Sequence, residues 1–225
     1  MRMSPAASRR FAALQLLAAI CLAAACGGAG EASYQDVDSY IPPVDTTVQR
    51  STPAGAERAG EIEGFLTIEG TREPMTFRLF RTPDAFPLAF ETYLPEDVVA
   101  EPLDAGDGQG VAFRTMFGGE GGAGRISLHV PETQPDAGQA RRLVAQVAGE
   151  LGAAERVEAG GFTWALEEFR FAGGHACGSV ALGRHDGVFF YIVTSCPREM
   201  EEGFGPRIAR ILGEWRWADG SRLGS

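Results

Sequence analysis

Two cysteines in the C-terminal third of this 225-residue chain are the residue pair best suited to chemistry. Cys177 and Cys196 lie at equal distances from the dipeptide Asp186-Gly187, and Asp-Gly is a strong signal for the two-residue turn of a β-hairpin. The two cysteines would then face one another in a hydrogen-bonded pair with Cα atoms about 5.5 Å apart. This separation suits a disulfide. We therefore predict a structural disulfide between Cys177 and Cys196.

A metal site is the main alternative for these residues. His175 is two residues from Cys177 and would share its strand face, with Cys196 opposite. Sites of this class need three or four ligands, and the sequence offers no convincing fourth. The cysteines do not form a C-x-x-C motif, so a thioredoxin-type redox role has no support. We predict no metal and no cofactor.

The candidate catalytic residues form no complete set. Ser179, His185 and Asp186 contain the residue types of a Ser-His-Asp triad, but the chain has no G-x-S-x-G motif, and the turn already explains Asp186. Glu167 and Glu168 are adjacent, and adjacent strand residues point to opposite faces, so they do not suit an acid–base pair. We interpret them as a β-bulge. We predict no catalytic residue, and an envelope hydrolase remains the alternative.

Two loops match binding loops only in part. Asp104-x-x-Asp107-Gly108 lacks the alternating acids and the terminal glutamate of a calcium loop. The glycine-rich segment 118–124 has no Lys-Ser/Thr pair after it, which a phosphate-binding loop requires. We expect a solvated acidic loop through Asp107 and an ordinary hairpin connection at 118–124.

The N-terminus has the features of an export signal. Arg2, Arg9 and Arg10 precede an apolar segment, Phe11–Ala25, of 15 residues. A membrane-spanning helix needs about 20 residues, so we expect residues 1–25 to be cleaved rather than retained.

The residues around Cys26 resemble the lipobox of bacterial lipoproteins. The run from Leu22 through three alanines ends at Cys26, although the family pattern places leucine one position later, and Cys21 fits less well because Ile20 precedes it. The resemblance implies cleavage before Cys26, a diacylglyceryl group on its sulfur, and membrane attachment by two or three acyl chains. Gly28, in place of aspartate, implies sorting to the outer membrane, facing the periplasm. Plain secretion is the alternative.

The charge of the mature chain excludes some partners. The full chain has a net charge of −10, and removal of residues 1–25 removes three arginines and no acids, leaving 17 − 30 = −13. Such an acidic surface repels nucleic acid and anionic lipid headgroups. We predict no nucleic-acid partner, and export would place Cys177 and Cys196 in an oxidising compartment.

The mature chain divides into a tether and one domain. Residues 26–59 are rich in small, polar and acidic residues, which is typical of a disordered tether, although Tyr34, Tyr40 and Ile41 could form a weak docking segment. Residues 60–218 are long enough to bury a full core. We expect a flexible tail over 219–225.

Hydrophobic periodicity predicts an α+β domain. Alternating residues indicate about eight strands in a mostly antiparallel sheet, beginning with a hairpin over 61–81. Helical spacing predicts one helix from Gly138 to Leu151 and a second from Pro197 to about Leu212. The apolar run Val188–Val193 indicates a central strand covered on both faces. These elements predict a sheet flanked by two helices, similar to an α/β/α sandwich.

The region from Phe90 to Trp217 resembles the PsbP-like fold family, which contains an extrinsic photosystem subunit and bacterial relatives. The similar features are the strand Phe90–Pro95, a hairpin near Gly124, the run Gly187–Val193 and the closing residues Glu214–Trp217. The resemblance implies an α/β/α sandwich with a non-enzymatic accessory role. It assigns no functional residue, and the hairpin over 61–81 is additional to it.

Together these observations predict a lipid-anchored accessory or binding module of the bacterial envelope. It would act by surface contact with a protein or a small ligand. An envelope hydrolase and a purely structural envelope lipoprotein are the two alternatives.

Overall fold

The computed structural model describes residues 58–104, 108–117, 124–152, 155–157, 161–173 and 176–224. All of them belong to the second of the two units into which the chain divides, Ile41–Ser225. The predicted signal, the predicted lipidation site Cys26 and the predicted tether up to residue 57 lie outside the described residues.

The described residues form eleven strands and two α-helices. The strands are β1 (Glu61–Ile68), β2 (Thr71–Arg81), β3 (Phe90–Pro95), β4 (Val98–Asp104), β5 (Gly108–Thr115), β6 (Arg125–Pro131), β7 (Glu155–Arg156), β8 (Glu167–Gly173), β9 (Ala176–His185), β10 (Val188–Pro197) and β11 (Arg216–Trp217). The helices are α1 (Ala137–Glu150) and α2 (Glu201–Gly213).

The strands build two antiparallel sheets within one domain. One sheet has the order β1-β2-β3-β11 and the other the order β4-β5-β6-β10-β9-β8-β7. The α+β class with two helices is thus confirmed. The expectation of one sheet of about eight strands is wrong, because eleven strands in two sheets form.

The two sheets separate at the turn between β3 and β4. Glu96 and Asp97 join these strands, but β3 pairs with β2 while β4 pairs with β5. We expected an acidic loop here. Val98 is instead 2% exposed in the core, and Glu101 bonds to Arg114 on the neighbouring strand, so the segment extends as a strand.

β10 is the covered central strand that the sequence predicts. Phe189 and Tyr191 pack with α1 on one face of the seven-stranded sheet. Phe190 and Ile192 face the opposite way, into the main core that also contains Ile211 of α2. Residues at both the odd and the even positions of β10 are apolar because both faces of the strand are covered.

Local sequence explains the bounds of both helices. Asp136 caps α1: its side chain accepts from the backbone N–H of Gln139, whose side chain accepts in return from the N–H of Asp136. Gly152 follows the helix with a positive φ of 103°, a conformation that glycine adopts readily. α2 runs without interruption through Pro206.

The predicted β-bulge at Glu167 and Glu168 is wrong. β8 pairs with β9 without a gap in register from Glu167 to Gly173. The apolar residues before Glu167 lie at even positions and those after it at odd positions, and this change suggests a bulge. It arises because the strand begins only at Glu167. The aromatic residues Phe162 and Trp164 belong to a turn before it.

The C-terminal residues fold back on the domain. Trp217 donates its backbone N–H to the carbonyl of Ser221 at 2.9 Å, and Leu223 packs against the main core. The segment for which we expected a flexible tail carries this turn over its described residues, 219–224.

Candidate functional site

The cysteine hairpin has the predicted register. The turn lies at Asp186-Gly187, and Cys177 is paired directly with Cys196. Their Sγ atoms are 3.1 Å apart, and the two residues are 5% and 6% exposed. Burial raises the pKa of both thiols, more strongly for Cys196. The side chains are thus within reach of one another, and the disulfide itself stays a prediction.

The alternative metal site gains no further ligand from the structure. His175, the nearest candidate, lies outside the described residues. Within the described ranges, no group of three or more His, Cys, Asp or Glu side chains is arranged to hold a metal ion. The two partial loop motifs also fall largely outside the described residues, which do not include 105–107 and 118–123.

The structure separates Ser179 from His185. They lie six residues apart along β9, about 20 Å at the usual rise per strand residue. The Ser179 hydroxyl is buried and lies 3.0 Å from the Thr194 hydroxyl. Asp186 occupies the turn with a φ of +46°. These three residues therefore do not form a nucleophile–base–acid chain.

His185 instead belongs to a cluster that sequence reasoning missed. Its ring stacks on Trp217 with centroids 4.4 Å apart, and its Nε2 is 3.6 Å from Asp219 Oδ2. Asp219 Oδ1 accepts from both the hydroxyl and the backbone N–H of Ser221. The Ser221 hydroxyl is the main cause of a lowered pKa for Asp219.

This cluster holds the C-terminal turn against the β9–β10 turn. A Ser-His-Asp triad needs the imidazole between the hydroxyl and the carboxylate. Here the carboxylate of Asp219 lies between Ser221 and His185, so the imidazole is not placed to act as a general base on that hydroxyl. The sequence Asp219-Gly220-Ser221 is typical of a side-chain-capped turn. This local pattern is the sequence signal that indicates part of the cluster.

The two adjacent glutamates have separate structural partners. Glu168 is 5% exposed and accepts from the backbone N–H of Phe162 and from Arg170. Glu167 lies 3.2 Å from Arg156 and 3.9 Å from Arg141 of α1. They therefore join the edge of the sheet to the preceding turn and to α1.

Arg58, the first described residue, fixes the start of the domain. Its guanidinium donates to Glu91 of β3 and to both the carbonyl and the carboxylate of Glu214, just after α2, at 3.0–3.3 Å. It also covers the ring of Tyr93 at 4.3 Å. The Arg58 side chain is 7% exposed. The predicted tether is thus joined to the domain at a buried charge cluster.

β1 is an outer strand of the four-stranded sheet, so one of its edges has no partner strand among the described strands. The Glu69-Gly70 turn has positive φ at both residues and pairs Ile68 with Thr71. The even-numbered residues of β1 therefore bond to β2. The odd-numbered residues direct their backbone N–H and C=O groups away from β2; they are Glu61, Glu63, Phe65 and Thr67. We call these four residues the outward row.

Two observations support this assignment. Pro74, which has no N–H, pairs with Phe65, as expected where no bond from β2 to β1 is needed. All four side chains of the outward row are exposed. Phe65 is 54% exposed, and Arg72 covers its ring at 4.4 Å.

The other sheet edges in the described part of the chain are short or interrupted. β7 and β11 have two residues each. β4 contains Pro102, and proline within a strand is tolerated where its missing N–H faces the open side. Among the strands that the structure describes, only β1, with eight residues and no proline, offers a long regular edge. Proteins usually protect such edges because they pair readily with other strands.

Comparisons with protein-family models, with characterised proteins and with solved structures give no match for this chain. No helix in the described ranges is long and apolar enough to cross a membrane. The resemblances to lipoproteins and to the PsbP-like fold thus stay predictions from the sequence.

Proposed function

We propose that this protein is a lipid-anchored accessory module of the bacterial envelope, which acts by protein contact rather than by catalysis. Residues 1–25 direct export, Cys26 carries the lipid, and residues 26–59 link the lipid to the domain. The protein faces the periplasm from the outer membrane. The similarity to PsbP-like proteins, with their sandwich fold and accessory role, supports the same proposal.

The observation that carries this proposal is the outward row of β1. Strand addition to an open sheet edge is a common mode of protein recognition, in which main-chain hydrogen bonds supply affinity and alternate side chains supply specificity. Phe65 with Arg72 adds an exposed aromatic and an arginine, two residue types enriched at interface hot spots.

Co-purification of the tagged full-length protein from solubilised envelopes tests this function. Thr67→Pro removes one outward N–H without removing a bond to β2, whereas the matched control Thr67→Val keeps that N–H and the branched shape. We expect a specific protein, or a second copy with a different tag, to co-purify with wild type and Thr67→Val.

Thr67→Pro should reduce this recovery while its thermal unfolding remains cooperative. The same recovery from all three proteins would contradict binding through the β1 edge. Recovery of the tagged chain alone would favour the purely structural alternative.

A further inference from the structure

We propose that the partner of the β1 edge is the β1 edge of a second copy of this chain. Two four-stranded sheets then join into one continuous sheet across a two-fold axis, an isologous interface. This inference rests on the proposed contact function and names its partner.

The outward row limits the possible registers. In an antiparallel pair related by a two-fold axis, an outward residue must face another outward residue to exchange both backbone bonds. With Gly64 opposite Gly64 of the second copy, Glu63 faces Phe65 and Glu61 faces Thr67. All four outward residues of each copy are then used, which gives about eight hydrogen bonds.

The neighbouring registers are less favourable. A shift in one direction places Glu63 opposite Glu63 of the second copy, and like charges directly opposite one another destabilise strand pairing. A shift in the other direction brings Glu61 level with Glu69, which lies in the turn with a φ of 50° and outside the strand, so Glu61 has no strand partner. The register centred on Gly64 avoids both disadvantages.

The side chains on both faces are compatible with this register. On the exposed face, Glu63 of one copy lies beside Phe65 of the other, whose ring carries the Arg72 guanidinium at 4.4 Å. Symmetry produces this charge pair twice. On the other face, Ile62 lies opposite Leu66 of the second copy, which extends the apolar cluster that contains both residues.

Lipid anchoring explains how so small an interface suffices. Pairing of two eight-residue strands buries less than the roughly 800 Å² per partner of a standard stable interface, so the contact is weak between freely diffusing copies. Anchoring confines the copies to one surface and raises their effective concentration. The dimer is therefore expected on the membrane rather than in dilute solution.

Cysteine cross-linking of the full-length protein in isolated envelopes tests the pairing and its register. Cβ atoms of opposite residues are about 4.5–5.5 Å apart, close to what a disulfide needs. Copies that carry Glu63→Cys and copies that carry Phe65→Cys are produced together and oxidised with a copper–phenanthroline reagent. We expect disulfide dimers from the mixture, about tenfold above either variant alone.

Charge exchange provides an independent measurement that needs no cysteine. Glu63→Arg should lower the recovery of a differently tagged second copy by about tenfold, because the change acts twice and opposes Arg72. Adding Arg72→Glu to Glu63→Arg should restore recovery. Arg142→Glu, on the exposed side of α1, is the control and should change nothing.

The outcomes separate this inference from the proposed function. Dimers from Phe65→Cys alone, or none from the mixture, would overturn self-pairing in this register. If the mixture gives no dimer while Thr67→Pro still removes another envelope protein from the purified material, self-pairing is wrong and the contact function stands. If Thr67→Pro also has no effect, both are wrong.

Discussion

Arg207 of α2 is a buried charge whose partners come from distant parts of the chain. Its guanidinium bonds to both carboxylate oxygens of Asp97 and to the carbonyl of Gly203. It also covers the ring of Phe117 at 4.3 Å. The side chain is 7% exposed. This group therefore ties α2 to the turn at which the chain passes from one sheet to the other.

Asp97→Ala should lower the free energy of unfolding by about 3 kcal/mol, because Arg207 would stay buried without its carboxylate. Glu101→Ala is the matched control, since it removes the exposed partner of Arg114 and solvent screens that pair. Urea unfolding of the two variants measures the difference. Similar losses for both would contradict a dominant role for the buried pair.

A Cys177–Cys196 disulfide closes a short loop, and its reduction should cost about 3 kcal/mol of stability. Alkylation of the native protein is not sufficient as a test, because burial and raised pKa values protect free thiols as well. Alkylation in denaturant without reductant should label neither cysteine, and both should be labelled after reduction. Labelling of both before reduction would show that the bond is absent.

At the scale of elements, the sequence predicts best what neighbouring residues determine. Asp186-Gly187 defines both the hairpin and its register, and the spacing of apolar residues defines α1. β4 is missed because Glu101 and Pro102 interrupt its apolar alternation. The separation into two sheets is not predictable at Glu96 and Asp97, since strand partners depend on distant segments.

The same limit applies to the site. The cysteine pair is predicted because it flanks one turn. The Arg58, His185 and Arg207 clusters join residues that are far apart in sequence, and no local pattern reports such contacts. The edge position of β1 follows from sheet order, which the sequence does not supply.

The cap of α1 is a local feature with a measurable contribution. Asp136→Ala should destabilise the protein by about 1 kcal/mol, because the backbone N–H of Gln139 loses its acceptor. Glu132→Ala, at an exposed position before the helix, is the control. Thermal unfolding should distinguish the two variants, and equal midpoints would argue against a contribution from the cap.

At the scale of the whole molecule, charge and the proposed anchoring have opposite effects on self-association. Removal of residues 1–25 would leave a net charge of 17 − 30 = −13, which would keep separate copies apart in solution, whereas a shared membrane surface would bring them together. An open strand edge is a risk for a protein that diffuses freely. The proposed anchoring would restrict the copies that such an edge can meet.

Cys26→Ala should move the full-length protein from the membrane fraction to the soluble fraction, because the acyl chains then have no attachment point. Cys21→Ala should leave the protein in the membrane fraction. Fractionation followed by immunoblotting measures both variants. Continued membrane association of Cys26→Ala would contradict lipidation at that residue.

The Arg58 cluster would determine how the domain responds to a mechanical pull on the proposed lipid anchor. β1 starts three residues after Arg58, so tension along the chain would otherwise peel this outer strand from β2 one bond at a time. Arg58 is bonded to β3 and to Glu214 just after α2, so the load would pass into both elements together. A force transmitted from the membrane would thus be resisted by several contacts at once.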